Sequence, residues 1–218
     1  MTTLKPLSRG FAEKTERVVK GMGQVETKIV EREGGKGLEV RMGGRTFILP
    51  FKLIGGRQVG FLDISGQVSL IESAADELAR KLLEAGVEFD TILNPVAKSN
   101  ALAHAVALRW SKAKGVELSK TVVARKSRGP AKVEATYRSV TTPVDQTISL
   151  TDGDAEYIRG KKILVMDDVY GGGGTIGALM ELAQKAEAHI AAFAVIAVEQ
   201  GVTPPENLYS LFELPVLD

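Results

Sequence analysis

Two adjacent carboxylates, Asp167 and Asp168, stand shortly before a run of glycines at residues 171–174. Glycines carry no side chain, so their backbone N–H groups can approach an anion closely. Thr175 adds a hydroxyl, and the helical pattern that follows would present the positive end of a helix to the same anion. This segment therefore predicts a phosphate-binding loop.

The two carboxylates need a partner of their own, because they would repel a phosphate. Ribose hydroxyls are donors that suit carboxylates, and Mg2+ can offset the negative charge. A ligand that carries a phosphate, a diol and a metal ion would satisfy the whole cluster. We therefore expect Asp167 and Asp168 to hold the sugar of a ribose 5-phosphate, with any contact to Mg2+ made indirectly, through the ribose or through water.

Two other phosphate-binding motifs compete for this segment. A P-loop ends in Gly-Lys-Ser or Gly-Lys-Thr, and neither triplet follows these glycines. The dinucleotide fingerprint does match as a string, at Gly172, Gly174 and Gly177, with Glu199 about 20 residues further on. However, the string does not open a two-halved fold, and the acidic pair would face a pyrophosphate. A ribose phosphate is the better prediction.

The elements around this loop alternate between strands and helices. Apolar runs predict strands at 89–94, 121–124, 163–166 and 191–198, and helical spacing predicts helices at 71–82, 99–112 and 176–183. Ser69 followed by Glu72 predicts a capping box, and Gly86 suits the end of the first helix. This alternation is typical of an α/β fold with a mainly parallel sheet flanked by helices, in which ligands bind at the carboxyl ends of the strands.

The first sixty residues predict β structure instead. Val25, Thr27 and Ile29 alternate with polar residues, and the pair Gly43-Gly44 between two apolar segments is typical of a hairpin turn. We therefore expect a small β-rich N-terminal hood over residues 1–60 and a core domain over residues 61–218.

The segment 131–151 is polar, rich in Thr and Ser, and carries Pro143. A loop or hairpin of this length is long for a compact domain and favours a functional lid. We expect it to be flexible and to close over the bound ligand.

The composition narrows the classes of function. Lys and Arg number 28 against 27 Asp and Glu, and this balance indicates neither a nucleic-acid nor a membrane partner. Cysteine is absent, which removes thiol chemistry, and the two histidines, His104 and His189, do not favour a histidine-rich metal centre. No apolar run approaches the ~20 residues that span a bilayer, and no signal core is present, so we expect a soluble cytoplasmic protein.

Residues 163–175, ILVMDDVYGGGGT, resemble the phosphoribosyl-diphosphate signature of type I phosphoribosyltransferases. That signature has four apolar residues, two acids, an apolar residue, any residue, a small residue, and then Thr-Gly-Gly-Thr. The chain departs from it at Gly172, where the family has the first Thr of the loop. The resemblance implies that one hydroxyl contact to the 5-phosphate is missing.

Further segments extend the resemblance over residues 47–200, with adenine and xanthine phosphoribosyltransferases the most similar members. The segment from Ile92 looks like the diphosphate loop, residues 122–127 look like a basic turn, and the stretch around Tyr137 looks like the flexible catalytic loop. The strand end from Val195 is similar to the one that reaches the base in the xanthine-type enzymes. The resemblance implies catalytic roles for Asp167, Asp168 and Tyr137 and substrate contacts at Ala97, Lys98, Ser99, Asn100, Arg125, Lys126, Gly171, Gly172, Gly173, Gly174, Thr175, Glu199 and Gln200.

The reaction that the resemblance implies joins a purine base to the ribose of phosphoribosyl diphosphate, with Mg2+ as cofactor, in purine salvage. Adenine is the favoured base, and xanthine or hypoxanthine is the alternative. A homodimer is the family expectation. Some proteins of this fold sense phosphoribosyl diphosphate and regulate transcription without catalysis, and Gly172 and Val96 leave room for that role. The strand-rich N-terminal segment argues against it, because such a regulator usually carries a helix-turn-helix.

Overall fold

The structure is a computed structural model that describes residues 25–126, 133–139 and 142–217, without the side chains of 139 and 142–144. The first 24 residues of the predicted hood lie outside the described residues. Two parts of the predicted lid also lie outside the described residues: 131–132 at its start and 140–141 in its middle.

A seven-stranded sheet forms the centre of the described chain. In spatial order its strands are β13 (Leu208–Tyr209), β11 (His189–Ala194), β9 (Lys162–Met166), β5 (Thr91–Pro95), β6 (Val122–Lys126), β8 (Thr142–Leu150) and β7 (Val133–Ser139). The first five run parallel to one another, and β8 and β7 join antiparallel. The prediction of a mainly parallel sheet is confirmed.

Helices cover both faces of this sheet. They are α1 (Val68–Glu84), α2 (Ser99–Lys114), α3 (Asp152–Ile158) and α4 (Gly174–Lys185). Along β9, Leu164 and Met166 pack in one apolar cluster with α1 and α2, whereas Ile163 and Val165 pack in a second cluster with α3 and α4. Both faces of the strand are therefore buried, which explains its unbroken apolar run.

The start of α1 differs from the sequence prediction. The helix begins at Val68 with Gln67 as its N-cap residue, and no side chain caps it, so the capping box at Ser69 and Glu72 is wrong. Both residues already lie inside the helix, and Glu72 forms an ion pair with Arg109 of α2 instead. The predicted end is confirmed, because Gly86 follows the last turn with a φ of +66°.

The helix α3 is absent from the sequence-based prediction. Thr151 caps it by accepting a hydrogen bond of 3.1 Å from the N–H of Asp154. The signal was a threonine followed by acidic residues in the first helical turn. This signal is hard to see in the sequence, because Thr151 also fits as the last residue of the polar stretch 131–151.

An antiparallel sheet forms the hood. Its strands are β1 (Glu26–Arg32), β2 (Gly35–Met42), β3 (Arg45–Ile54), β4 (Arg57–Gly60) and β15 (Val216–Leu217). Gly43 and Gly44 have φ of +58° and +71° and make the predicted turn between β2 and β3. Leu38 and Val40 pack in the same cluster as α1 and α2, so the hood and the core domain share one hydrophobic core.

The polar stretch forms a hairpin rather than an irregular loop. Strand β7 pairs with β8 in antiparallel register, and β8 pairs with β6, so the hairpin is the edge of the central sheet. The Nζ of Lys185 in α4 donates a hydrogen bond of 2.6 Å to the carbonyl of Glu134, which ties the hairpin to that helix. Its predicted flexibility stays a prediction.

A small parallel sheet completes the described chain. It consists of β10 (Val169–Tyr170), β12 (Ala197–Glu199) and β14 (Phe212–Leu214). The predicted strand 191–198 is therefore two strands, β11 and β12. The break occurs because the N–H groups of Ile196 and Ala197 donate to the carbonyl of Asp168 instead of continuing along β9.

Candidate active site

The two aspartates lie in the break between β9 and β10. Asp167 is only 7% exposed, and its Oδ1 accepts hydrogen bonds from the Ser99 hydroxyl at 2.7 Å and from the Asp168 N–H at 2.8 Å. Asp168 is less buried and lines a cleft at this edge of the sheet. The two carboxylates are therefore not equivalent: one is held inside, and the other faces the ligand space.

Burial changes the protonation of this pair. Desolvation and the adjacent charge of Asp168 raise the pKa of Asp167 to about 8, although the Ser99 hydrogen bond lowers it. Desolvation also raises the pKa of Asp168, and the positive charge of Lys98 lowers it. With a pKa of about 8, Asp167 is mostly protonated near neutral pH, and the two neighbouring carboxyl groups titrate as a coupled pair. The half-buried, cleft-lining carboxylate of Asp168 is the better carrier of negative charge.

The glycine loop leads into the start of α4. Gly173 is the N-cap residue with a φ of +77°, and the first helical hydrogen bond runs from the Gly177 N–H to the Gly173 carbonyl at 2.8 Å. The N–H groups of residues 174–176 precede that bond and so lack a carbonyl partner within the helix. Together with the dipole of α4 they have the arrangement that the predicted anion site needs.

Two of the loop glycines have close neighbours, and at Gly174 that neighbour is backbone. A Cβ on Gly171 would lie 2.9 Å from the Glu199 carboxylate, and a Cβ on Gly174 would lie 2.8 Å from the Arg138 carbonyl of β7. The loop is thus pressed between the end of β12 and the edge hairpin. Any side chain at Gly174 would push against backbone, which cannot move aside easily.

The apolar part of the cleft lining comes from the end of the hood and from β14. Ile54, Phe61 and Leu62 line the cleft together with Leu214 of β14. None of these four residues is among the site residues predicted from the sequence. Phe61 had a weak signal, as an aromatic next to Gly60 between a strand and a helix, but nothing in the sequence shows which hood residues face the loop.

The segment predicted to bind diphosphate contributes unequally to the cleft. Lys98 lines it, and its Nζ lies 3.8 Å from Oδ1 of Asp63. Ser99 is buried and spends its hydroxyl on Asp167. Asn100 accepts a hydrogen bond of 2.8 Å from Asn94 through Oδ1, and Ala97 is exposed at the mouth of the turn.

Arg125, Lys126, Tyr137 and Gln200 do not line this cleft. Arg125 lies 3.8 Å from Asp154 of α3, and Lys126 is exposed at the end of β6. Tyr137 packs against the position of a Gly174 Cβ at 3.3 Å, just behind the loop. Gln200 accepts a hydrogen bond of 2.9 Å from the Val216 N–H, so β15 holds it. Glu199 does line the cleft, and its burial raises its pKa.

A metal ion would need ligands beyond the protein. Among the described residues, no group of three or more His, Cys, Asp or Glu side chains is arranged to hold one. Mg2+ is commonly bound by one or two carboxylates and completed by phosphate oxygens and water. Asp168 supplies such a carboxylate, so the site fits a Mg2+ that arrives with its phosphorylated ligand. In the part of the chain that the structure describes, no helix is long and apolar enough to cross a membrane.

Comparison with known proteins agrees with this arrangement. Among curated proteins, the adenine phosphoribosyltransferase of Thermosipho melanesiensis is 29% identical over 144 residues, which cover 63% of this chain and 71% of that protein. The solved adenine phosphoribosyltransferase of Saccharomyces cerevisiae, complexed with adenine and an imino-altritol bisphosphate, shares 19% identity. Its TM-score is 0.54, over 92% of this chain and 99% of that one. The enzyme of Rhodothermus marinus has 16% identity and a TM-score of 0.54, over 93% and 99%.

At these identities the solved structures show the fold alone, and the fold is that of the type I phosphoribosyltransferases. The family model of the phosphoribosyl transferase domain matches residues 66–215, which contain the acidic pair, the glycine loop and both neighbouring strands. The chain therefore belongs to the phosphoribosyltransferase domain family.

Proposed function

We propose that this protein transfers the phosphoribosyl group of phosphoribosyl diphosphate to adenine, forming a nucleoside monophosphate and diphosphate. The observation that carries the proposal is the common cleft of Asp168, the glycine loop and the apolar hood wall. One side of that cleft suits a sugar phosphate, and the other suits a flat base. The Thermosipho melanesiensis relative is named for the same reaction.

The acidic pair acts on the ribose. As the bond from the anomeric carbon to diphosphate breaks, positive charge develops on the sugar ring before the base nitrogen bonds to that carbon. Asp168 accepts hydrogen bonds from the ribose hydroxyls and favours that charge electrostatically. Asp167 is buried, and its bond to the Asp168 N–H fixes the backbone between the two carboxylates.

The anionic groups of the substrate have separate partners. The N–H groups at the start of α4 hold the 5-phosphate. Lys98 stands on the other side of the cleft, where a cation favours the departing diphosphate. Asp168 would help to hold a Mg2+ that arrives with the substrate, and the ion would neutralise negative charge on the leaving group.

The apolar part of the cleft lining favours adenine. Lys52 covers one face of the Phe61 ring, with its Nζ 3.5 Å from the ring centroid, so a purine would stack on the other face. Leu62 and Leu214, which line the same cleft, are apolar. Glu199 brings a carboxyl group to the same cleft. A carboxylate accepts from the exocyclic amino group of adenine, whereas xanthine and hypoxanthine present a carbonyl oxygen at that carbon and would be repelled.

The test is a panel of purine and pyrimidine bases with phosphoribosyl diphosphate and Mg2+, in which diphosphate release is measured. We expect release with adenine above all other bases, and its near abolition in Asp168→Asn. Glu117→Gln, which changes an exposed carboxylate outside the cleft, is the control and should react as the unaltered protein does. Binding of phosphoribosyl diphosphate without reaction of any base would replace the transferase with a sensing role.

A further inference from the structure

Tyr170 reaches from the strand before the glycine loop back over the loop itself. It ends β10, one residue before Gly171, and it lines the cleft together with the loop glycines. Its hydroxyl oxygen lies 3.0 Å from the point that a Cβ on Gly173 would occupy. The phenol is therefore close to the N-cap glycine of α4, where the φ of +77° favours glycine and a side chain would crowd the hydroxyl.

Among the residues that the structure describes, the hydroxyl of Tyr170 has one partner, and the bond to it is weak. It donates to the carbonyl of Thr203 at 3.3 Å, beyond the usual range for an O–H donor, and Thr203 is exposed. A hydroxyl with a long bond to a neutral carbonyl exchanges readily for a shorter bond to a charged acceptor.

The loop itself is short of hydroxyl donors. Gly172 carries no side chain, so among residues 171–175 only Thr175 offers a hydroxyl to an anion held by the backbone N–H groups. A phosphate monoester has three outer oxygens, each of which accepts more than one hydrogen bond. A donor beside Gly173 fills the gap that Gly172 leaves.

We propose that the Tyr170 hydroxyl binds the phosphate in the glycine loop and takes over the contact that Gly172 does not supply. The inference rests on the proposed function, because it assumes a sugar phosphate in this loop. On binding, the phenol turns from the Thr203 carbonyl to a phosphate oxygen and keeps its proton throughout. Tyr170 is thus a phosphate-binding residue, and its effect falls on affinity rather than on the chemical step.

The first test removes the hydroxyl and keeps the ring. We expect Tyr170→Phe to weaken ribose 5-phosphate and AMP, measured by calorimetry, by about tenfold, while adenosine binding is unchanged. The KM for phosphoribosyl diphosphate should rise with little change in kcat. Tyr157→Phe is the matched control, because that hydroxyl lies 3.5 Å from Ser119, away from the cleft. Unchanged ribose 5-phosphate affinity in Tyr170→Phe would overturn the proposal.

The second test restores a hydroxyl at another position. In the described loop only Gly173 has a positive φ, so the backbone at residue 172 accepts a threonine. Gly172→Thr in the Tyr170→Phe background should recover most of the lost ribose 5-phosphate affinity. A purely structural Tyr170, needed only to hold Thr203, would instead weaken AMP and adenosine equally and would not respond to Gly172→Thr; either result refutes the assignment.

The same measurements separate this inference from the transferase reaction. If ribose 5-phosphate binds but no base reacts, the proposed reaction fails, and the affinities of the variants still decide the role of Tyr170. If bases react and Tyr170→Phe binds ribose 5-phosphate normally, the reaction stands and the role of Tyr170 fails.

Discussion

The hydroxyl of Ser99 donates a 2.7 Å hydrogen bond to Oδ1 of Asp167 and joins the start of α2 to the break between β9 and β10. Both side chains are buried, and the same oxygen also accepts from the Asp168 N–H. The position of the cleft-facing carboxylate therefore depends on a contact with α2, which is distant in sequence. Ser99 belongs to the segment that was expected to bind diphosphate, yet its hydroxyl is directed at the protein.

Ser99→Ala should destabilise the protein by about 1–2 kcal/mol, because it leaves a buried carboxyl group with one hydrogen bond fewer. Denaturant unfolding measures the loss. Ser119→Ala, which alters an exposed hydroxyl, should cost far less, and Ser99→Thr should retain much of the stability. An unfolding curve for Ser99→Ala that coincides with that of the unaltered protein would show that this hydrogen bond does not contribute to stability.

Asp167→Asn should change how stability depends on pH. Folding raises the pKa of Asp167 from its ordinary value of 3.8 to about 8, so between these values the folded state holds a proton that the unfolded state has lost. The free energy of unfolding must therefore fall as pH rises through this window, by up to about 1.4 kcal/mol per pH unit. The asparagine variant does not titrate there.

The check is the difference between the two unfolding free energies, measured from pH 4 to pH 9. It should grow in favour of Asp167→Asn up to the folded-state pKa and then stay level. A difference independent of pH would mean that Asp167 is ionised in the folded protein.

Gly174→Ala should damage the protein, whereas Gly177→Ala should not. A Cβ at 174 would lie 2.8 Å from the Arg138 carbonyl, but a Cβ at 177 meets nothing within 4 Å. We expect the first variant to lose about 1–3 kcal/mol of stability and to bind ribose 5-phosphate more weakly. The second should be neutral or slightly stabilising, because alanine has a higher helix propensity than glycine. Equal thermal unfolding of the two variants would contradict this packing.

Lys98→Met should move the acid limb of the pH profile of transferase activity to higher pH. Burial already raises the pKa of Asp168, and the charge of Lys98 opposes that rise, so removal of the charge raises the pKa further. At a given pH a larger fraction of Asp168 is then protonated, and the ionised fraction falls. Lys112→Met, at the exposed end of α2, should leave the limb in place.

The sequence predicted the parallel sheet and the loop because both have local signals. A buried strand reads as an apolar run, and a phosphate loop reads as glycines before a helix. The sequence could not show which of two adjacent carboxylates points inward, since the partner that decides it, Ser99, is 68 residues away. The surroundings of Arg125 were hidden for the same reason: its neighbour Asp154 lies on a helix that the sequence-based prediction lacked, and its contact with substrate stays a prediction.

Residues that meet only in three dimensions were also out of reach. Phe61 and Leu214 line the same cleft although they come from distant parts of the chain. Glu199 lines the cleft and Gln200 does not, because Gln200 accepts a hydrogen bond from the Val216 N–H of β15. Neither relation has a periodic or compositional signal.

The pairing of β15 with β4 sets an order of events during synthesis. Val216 lies opposite Val59, so the hood sheet is incomplete until almost all of the described chain has left the ribosome. Closing a loop of that length adds entropy cost and slows folding relative to local contacts. Until β15 is made, the edge of β4 is unpaired, and an unpaired strand edge is a site for chaperone binding and for aggregation.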